Sequence, residues 1–129
     1  MKKFLIAVLL MSASSLCLAQ AQLNGRFKNA DTTLHIIVLQ SHAPVAVAVS
    51  ARVTKPECPG RIAGLGSFKG QTIKFSPYVT KAGGEACVIT AEFDKTFERP
   101  KVTAGEGCAA YKEAMCALDG RSLKYFSDN

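Results

Sequence analysis

Roughly seven or eight short β-prone segments, spaced about ten residues apart and separated by turn residues, run through this chain, and that rhythm admits few folds. Val45, Val47 and Val49 alternate with smaller residues at the period of a half-buried strand. Before them, Leu34-His35-Ile36-Ile37-Val38-Leu39 is β-branched and apolar and lacks the three-four spacing of an amphipathic helix. Ile62 to Phe68 carries Gly64 and Gly66 on one strand face, a spacing that lets another backbone or a large ring lie close. Lys69-Gly70-Gln71 reads as a hairpin connection into a strand whose Ile73 and Phe75 point the same way. Cys87, Ile89, Ala91 and Phe93 form the next stripe, and Val102 lies in a strand after Pro100. A last strand is expected from Cys116 to Phe126, with a turn at Asp119-Gly120. Only Cys108–Met115 and Gln22–Asn29 invite a helix; the first covers barely two turns, and the second contains Gly25 and reads better as a strand. The expectation is an all-β fold: a small, disulfide-stapled antiparallel β-sandwich or barrel of about seven to eight strands.

The amino terminus has the pattern of a secretory signal. Lys2 and Lys3 supply a positive region, Phe4 to Met11 an apolar one, and Ala19-Gln20-Ala21 a small-residue cleavage site. Residues 1–21 are therefore expected to be removed, leaving 22–129 as a single β domain, periplasmic or secreted and soluble. Lipidation at Cys17 is the rival, but Leu16 stands where a small residue belongs.

Cleavage discards Cys17 and leaves Cys58, Cys87, Cys108 and Cys116. An even set of cysteines in an exported small domain reads as disulfides. Metal ligation would want close pairs or suitably spaced histidine, and the intervals here are wide, so no metal and no cofactor is expected. Four cysteines permit three pairings; Cys58–Cys87 with Cys108–Cys116 is favoured, because the second pair closes a local loop and Cys87 can return beside the turn holding Cys58.

The formal charge is +6, falling to +4 without Lys2 and Lys3. The remaining cations are spread from Arg26 to Lys124 without a like-charge run or aromatic–basic alternation, which argues against nucleic acid and toward solubility, with a tendency to meet acidic partners or an anionic envelope surface. No apolar run after the signal approaches the ~20 residues of a membrane helix.

Catalytic signatures are absent from the sequence: no G-x-S-x-G, H-E-x-x-H, Walker loop or dinucleotide fingerprint occurs. His35 and His42 read as a strand-face and a loop residue, Arg52 as a solvated cation at a strand end, and Glu92 with Asp94 as a water-facing pair. The chain is not expected to be an enzyme. Two loops suit a binding role: the glycine-rich Lys81–Glu85, and Ala109–Met115 carrying Tyr111 and Lys112, with packing of Tyr111 on its own disulfide as the alternative.

Gly107-Cys108-Ala109-Ala110-Tyr111 followed by Cys116-Ala117-Leu118-Asp119-Gly120-Arg121-Ser122-Leu123 resembles the carboxy-terminal cysteine loop of small exported bacterial proteins, some grouped with periplasmic lysozyme inhibitors. The resemblance implies a β-rich envelope protein that binds rather than turns over. The serine–glycine–arginine–tyrosine loop of the inhibitors of c-type lysozyme is missing here, so no binding residue carries over. The expected function is an exported periplasmic binding protein of inhibitor or immunity type, its protein partner a cell-wall enzyme. The alternative is a structural or assembly component of an envelope secretion or conjugation machine, acting by strand addition.

Overall fold

Period-two alternation is followed by burial almost residue for residue. The computed structural model of the chain describes residues 23–79, 86–111 and 118–127, so the expected signal segment, Lys81, Glu85, Lys112 and Cys116 lie outside the described residues. The strands are β1 (Gly25–Lys28), β2 (Thr32–Gln40), β3 (Val45–Val53), β4 (Gly60–Lys69), β5 (Thr72–Pro77), β6 (Ile89–Phe93), β7 (Pro100–Ala104) and β8 (Lys124–Phe126). A 3-10 helix, Glu106–Tyr111, separates the last two. All pair antiparallel in the order β7-β6-β5-β4-β3-β2-β1-β8.

The segment leading into β8 brings the two ends of that sheet together. The Val102 and Leu123 amides donate to the carbonyls of Arg121 and Pro100, both at 2.9 Å, and the Tyr125 amide donates to Glu98 at 2.7 Å. With the Lys101–Ser122 bridge these bonds make the sheet a nearly closed barrel. Closure removes the unpaired edges that otherwise invite aggregation. Of the two expected architectures, the barrel is the one formed.

Inward positions supply the core. Phe27, Leu34, Ile36, Val47, Ile73, Ile89, Ala91 and Val102 are fully excluded from solvent. The Phe27 ring meets Phe93 and Tyr125 edge-on at 5.4 and 5.7 Å. Gly64 and Gly66 belong to this inner face, where a Cβ would overlap the Ser76 and Lys74 carbonyls and crowd Phe75. The close approach expected of that glycine pair is present, between β4 and the backbone of β5 with the Phe75 side chain.

Two expectations need correction. Among the described residues of the expected last strand, only Lys124–Phe126 form one. Residues 118–120 form a turn, and Asp119 is held there by accepting the Ala104 amide through Oδ1 at 2.8 Å. The favoured disulfide pairing is also wrong, since Cys87 is bonded to Cys108. Strands β6 and β7 run antiparallel with Ile89 opposite Ala104, so the chain two residues before β6 lies beside the chain just after β7. Gly105 and Gly107 lie tight against the Val88 and Ala86 carbonyls, where side chains would intrude, and this lets Cys108 reach Cys87. Cys58 is disulfide-bonded as well.

The β6–β7 connection depends on one carboxylate. Asp94 accepts the Thr96 hydroxyl at 2.8 Å through Oδ2, and the Glu98 and Arg99 amides at 3.2 and 3.3 Å through Oδ1. These bonds, the Thr96 hydroxyl first, hold its carboxyl below the ordinary range, with the nearby Arg99 charge adding to them. The loop they organise carries Phe97 at φ 57°, a left-handed conformation uncommon for a bulky residue. The Phe97 ring lies 6.0 Å from Phe68 and 6.1 Å from Phe93. A carboxyl with a lowered folded pKa contributes stability above its unfolded pKa, near 3.9, and that contribution disappears as pH falls through the folded value. Asp94→Ala is therefore expected to lower the thermal midpoint at pH 7 and to differ less from the parent at pH 2.5. An unchanged gap between the two pH values would contradict this assignment.

Candidate functional site

The cations that are dispersed in sequence are assembled by register on the outer face of the barrel. Lys28 pairs with Lys124 on one side and Thr33 on the other, Thr33 with Arg52, and Arg52 with Arg61. Each is an outward position, because the flanking Phe27, Thr32, Leu34, Ala51, Val53 and Ile62 are buried. The result is a row of four cations and one threonine crossing β8, β1, β2, β3 and β4. At the usual spacing of paired strands it is about 19 Å long.

Like charges directly opposite one another destabilise a sheet. Arg52 and Arg61 are such a pair, and among the described residues neither they nor Lys28 and Lys124 are paired with a carboxylate. The ion pair nearest in sequence, Lys55 with Glu57 at 3.4 Å, lies in the β3–β4 turn. Lys28 instead places its ammonium over the Phe126 ring, 3.7 Å from the centroid. The row thus carries concentrated positive charge that an anionic surface would offset.

Two residues along the strands the face changes character. The next outward row is Arg26, His35, Ser50 and Ala63, and the one beyond is Ile37, Ala48 and Leu65. Leu65 is 58 % exposed, Ile37 45 %, and Tyr78, beside Ala63, 78 %. Two open depressions record the change. One of about 510 Å³ is lined by Arg26, Lys28, Thr33, Arg52 and Arg61 among others. The second, about 290 Å³, is lined by Ile37, Ala48, Leu65 and Tyr78. His35, Ser50 and Ala63 line both, so the depressions adjoin. Small outward side chains on β3 (Ala46, Ala48 and Ser50) form the floor of a shallow groove between Ile37 of β2 and Leu65 of β4.

The groove lacks the arrangement of a nucleophilic site. His35 and Ser50 are cross-strand neighbours, but no hydrogen bond joins their side chains, and the outward neighbour of His35 on β1 is Arg26 rather than an orienting carboxylate. Among the described residues no group of three His, Cys, Asp or Glu side chains is arranged to hold a metal ion. No described helix is long and apolar enough to cross a membrane. Both depressions open on the outer surface, and where Gly64 and Gly66 leave room in the wall, Phe75 and the β5 backbone occupy it.

Lys81, Glu85 and Lys112 lie outside the described residues. Tyr111 is only 7 % exposed, and its hydroxyl donates to the Val79 carbonyl at 3.1 Å. That burial leaves little of the side chain exposed to a partner. Cys87 and Cys108 are buried and bonded to each other, as structural cysteines. The cation row was missed because its members are far apart in sequence; the available signal was that Lys28, Thr33, Arg52 and Arg61 all fall at outward positions of their strands.

Comparison with protein-family models, with curated proteins and with solved structures found no match to this chain.

Proposed function

We propose that this chain is an exported binding protein whose outer β1–β4 face docks an acidic protein partner, and that its role is to block a cell-wall enzyme of the envelope. The row Lys124–Lys28–Thr33–Arg52–Arg61 carries the reading. Enzymes that cleave glycosidic bonds present paired carboxylates in a cleft. A rigid sheet that displays several cations in fixed register meets such a cleft with little ordering cost. The disulfide between Cys87 and Cys108 suits an oxidising compartment. The assembly-component alternative relies on adding a strand to an open edge, whereas β7 bonds to the segment leading into β8, which favours the docking reading.

The test is a titration of the purified exported protein into lysozymes and peptidoglycan amidases, read as the rate of cell-wall clearing. Inhibition that weakens with added salt is expected, and Arg52→Glu with Arg61→Glu should weaken it at least about tenfold. Both side chains are exposed, so the thermal midpoint should hold. Absence of inhibition, together with recovery of no enzyme from envelope extract on the immobilised protein, would rule the reading out.

A further inference from the structure

Resting on the protein-partner reading above, we propose that the groove along β3 recognises an extended segment of the partner that bears a carboxylate and, four residues away, a large apolar side chain. Charge complementarity fixes the first position. Arg52 stands at one end of the groove with Arg61 beside it on β4 and Lys28 two strands away, and none of the three is ion-paired among the described residues. A carboxylate set there relieves the Arg52–Arg61 opposition.

The second position follows from distance. Ala48, at the centre of the apolar row, is four residues from Arg52 along β3, about 13 Å in an extended chain. A partner segment lying along the groove in the same conformation places its residues i and i+4 on one face at that separation. Residue i+2 then falls over Ser50, His35 and Ala63, where both depressions meet and the surface is polar and small.

The size of the apolar depression selects the kind of occupant. About 290 Å³ is at the lower limit of pockets that hold a free small molecule, and this one is open. It suits one anchoring side chain delivered by a larger partner, as interface hot spots are built. A membrane surface is the poorer fit, because Ile37, Leu65 and Tyr78 line a depression on a sheet face rather than a protruding tip.

The probe is a fluorescein-labelled nonapeptide of serine and threonine with glutamate third and phenylalanine seventh, followed by anisotropy at low salt with the full exported protein. It should bind at least about fivefold more tightly than peptides with glutamine for glutamate, serine for phenylalanine, or the two key residues adjacent, since each removes one contact or puts it on the opposite face. Arg52→Ser and Leu65→Ser, both at exposed positions, should each remove that preference while leaving the thermal midpoint in place. Equal binding of all the glutamate peptides, or no peptide binding, overturns the proposal. So does tighter binding to phosphatidylglycerol vesicles that Leu65→Ser abolishes. Enzyme inhibition without peptide selectivity would leave the binding-protein reading standing and remove the groove assignment. Peptide selectivity with neither enzyme inhibition nor enzyme recovery would keep the groove assignment and remove the enzyme-blocking role.

Discussion

Gly64→Ala is expected to destabilise the protein by upward of about 3 kcal/mol, at or beyond the top of the range for overpacking. A methyl group at that position would overlap the Ser76 carbonyl oxygen, lie 2.7 Å from the Ser76 carbonyl carbon, and press on the Phe75 ring at 3.2 Å. A ring can rotate away, but a carbonyl in a paired strand cannot. Leu65 is paired with Ser76, and Thr72 to Phe75 are already paired with β6, so β5 has little freedom to move outward. Gly66→Ala should behave in the same way, since its Cβ would overlap the Lys74 carbonyl and lie 2.6 Å from Phe75 Cβ. Gly70 is the control. Its φ of 66° favours glycine, but nothing lies within 4 Å of an added Cβ, so Gly70→Ala should cost only about 1–2 kcal/mol. Urea midpoints of the three variants decide the matter: equal losses at all three positions would show that the close approach of β4 and β5 is not what these glycines permit.

Those two glycines illustrate what the sequence made legible. Their period-two spacing placed them on one strand face and announced a close approach, without naming the Phe75 ring and the β5 carbonyls as neighbours. β3 was readable as a strand because Val45, Val47 and Val49 alternate with smaller residues, and that alternation continues to Val53. The amino-terminal segment was readable as a strand because Gly25 argues against a helix. The last strand was over-extended for a definite reason. Asp119-Gly120 marked the turn, but apolar Leu118 and Leu123 on either side continued the stripe, and both are buried without belonging to a strand. Burial and strand pairing coincide in most of this chain and separate at the closure.

Sandwich and barrel were indistinguishable in the sequence because both use the same alternation. Closure depends on the backbone of Glu98, Pro100 and Val102 meeting Arg121, Leu123 and Tyr125, and backbone hydrogen bonds leave no signature in side-chain pattern. The candidate site was illegible for a related reason. Arg52 looked like a solvated strand-end cation, and only the register places it between Thr33 and Arg61. A slip of one residue would turn every side chain of a strand to the other face. The cation row is therefore a property of register rather than of local composition, and the even spread of charge along the chain concealed it.

Breaking the Cys87–Cys108 bond is the second change of large expected effect, at about 3 kcal/mol. The two cysteines are 21 residues apart, and in the chain-entropy model closing a loop of that length removes about that much freedom from the unfolded ensemble. Cys87→Ser, Cys108→Ser and the double replacement should lower the urea midpoint by similar amounts, because each removes the same bond and the effects of coupled positions do not add. Peptide mapping of the parent should recover the Cys87 and Cys108 peptides joined to each other. The folded structure should change little, since the loop is independently closed by the β6–β7 pairing from Ile89–Ala104 to Phe93–Pro100. The floor and both walls of the groove are strands β2 to β4, which the staple does not join, so at temperatures where the variants remain folded their peptide affinity should equal that of the parent. Equal stability with and without the bond would show that the unfolded chain is already compact enough in this region for the cross-link to constrain nothing. A loss of affinity in folded Cys108→Ser would show that the staple positions the groove, and the separation of stability from binding argued for this barrel would then fail.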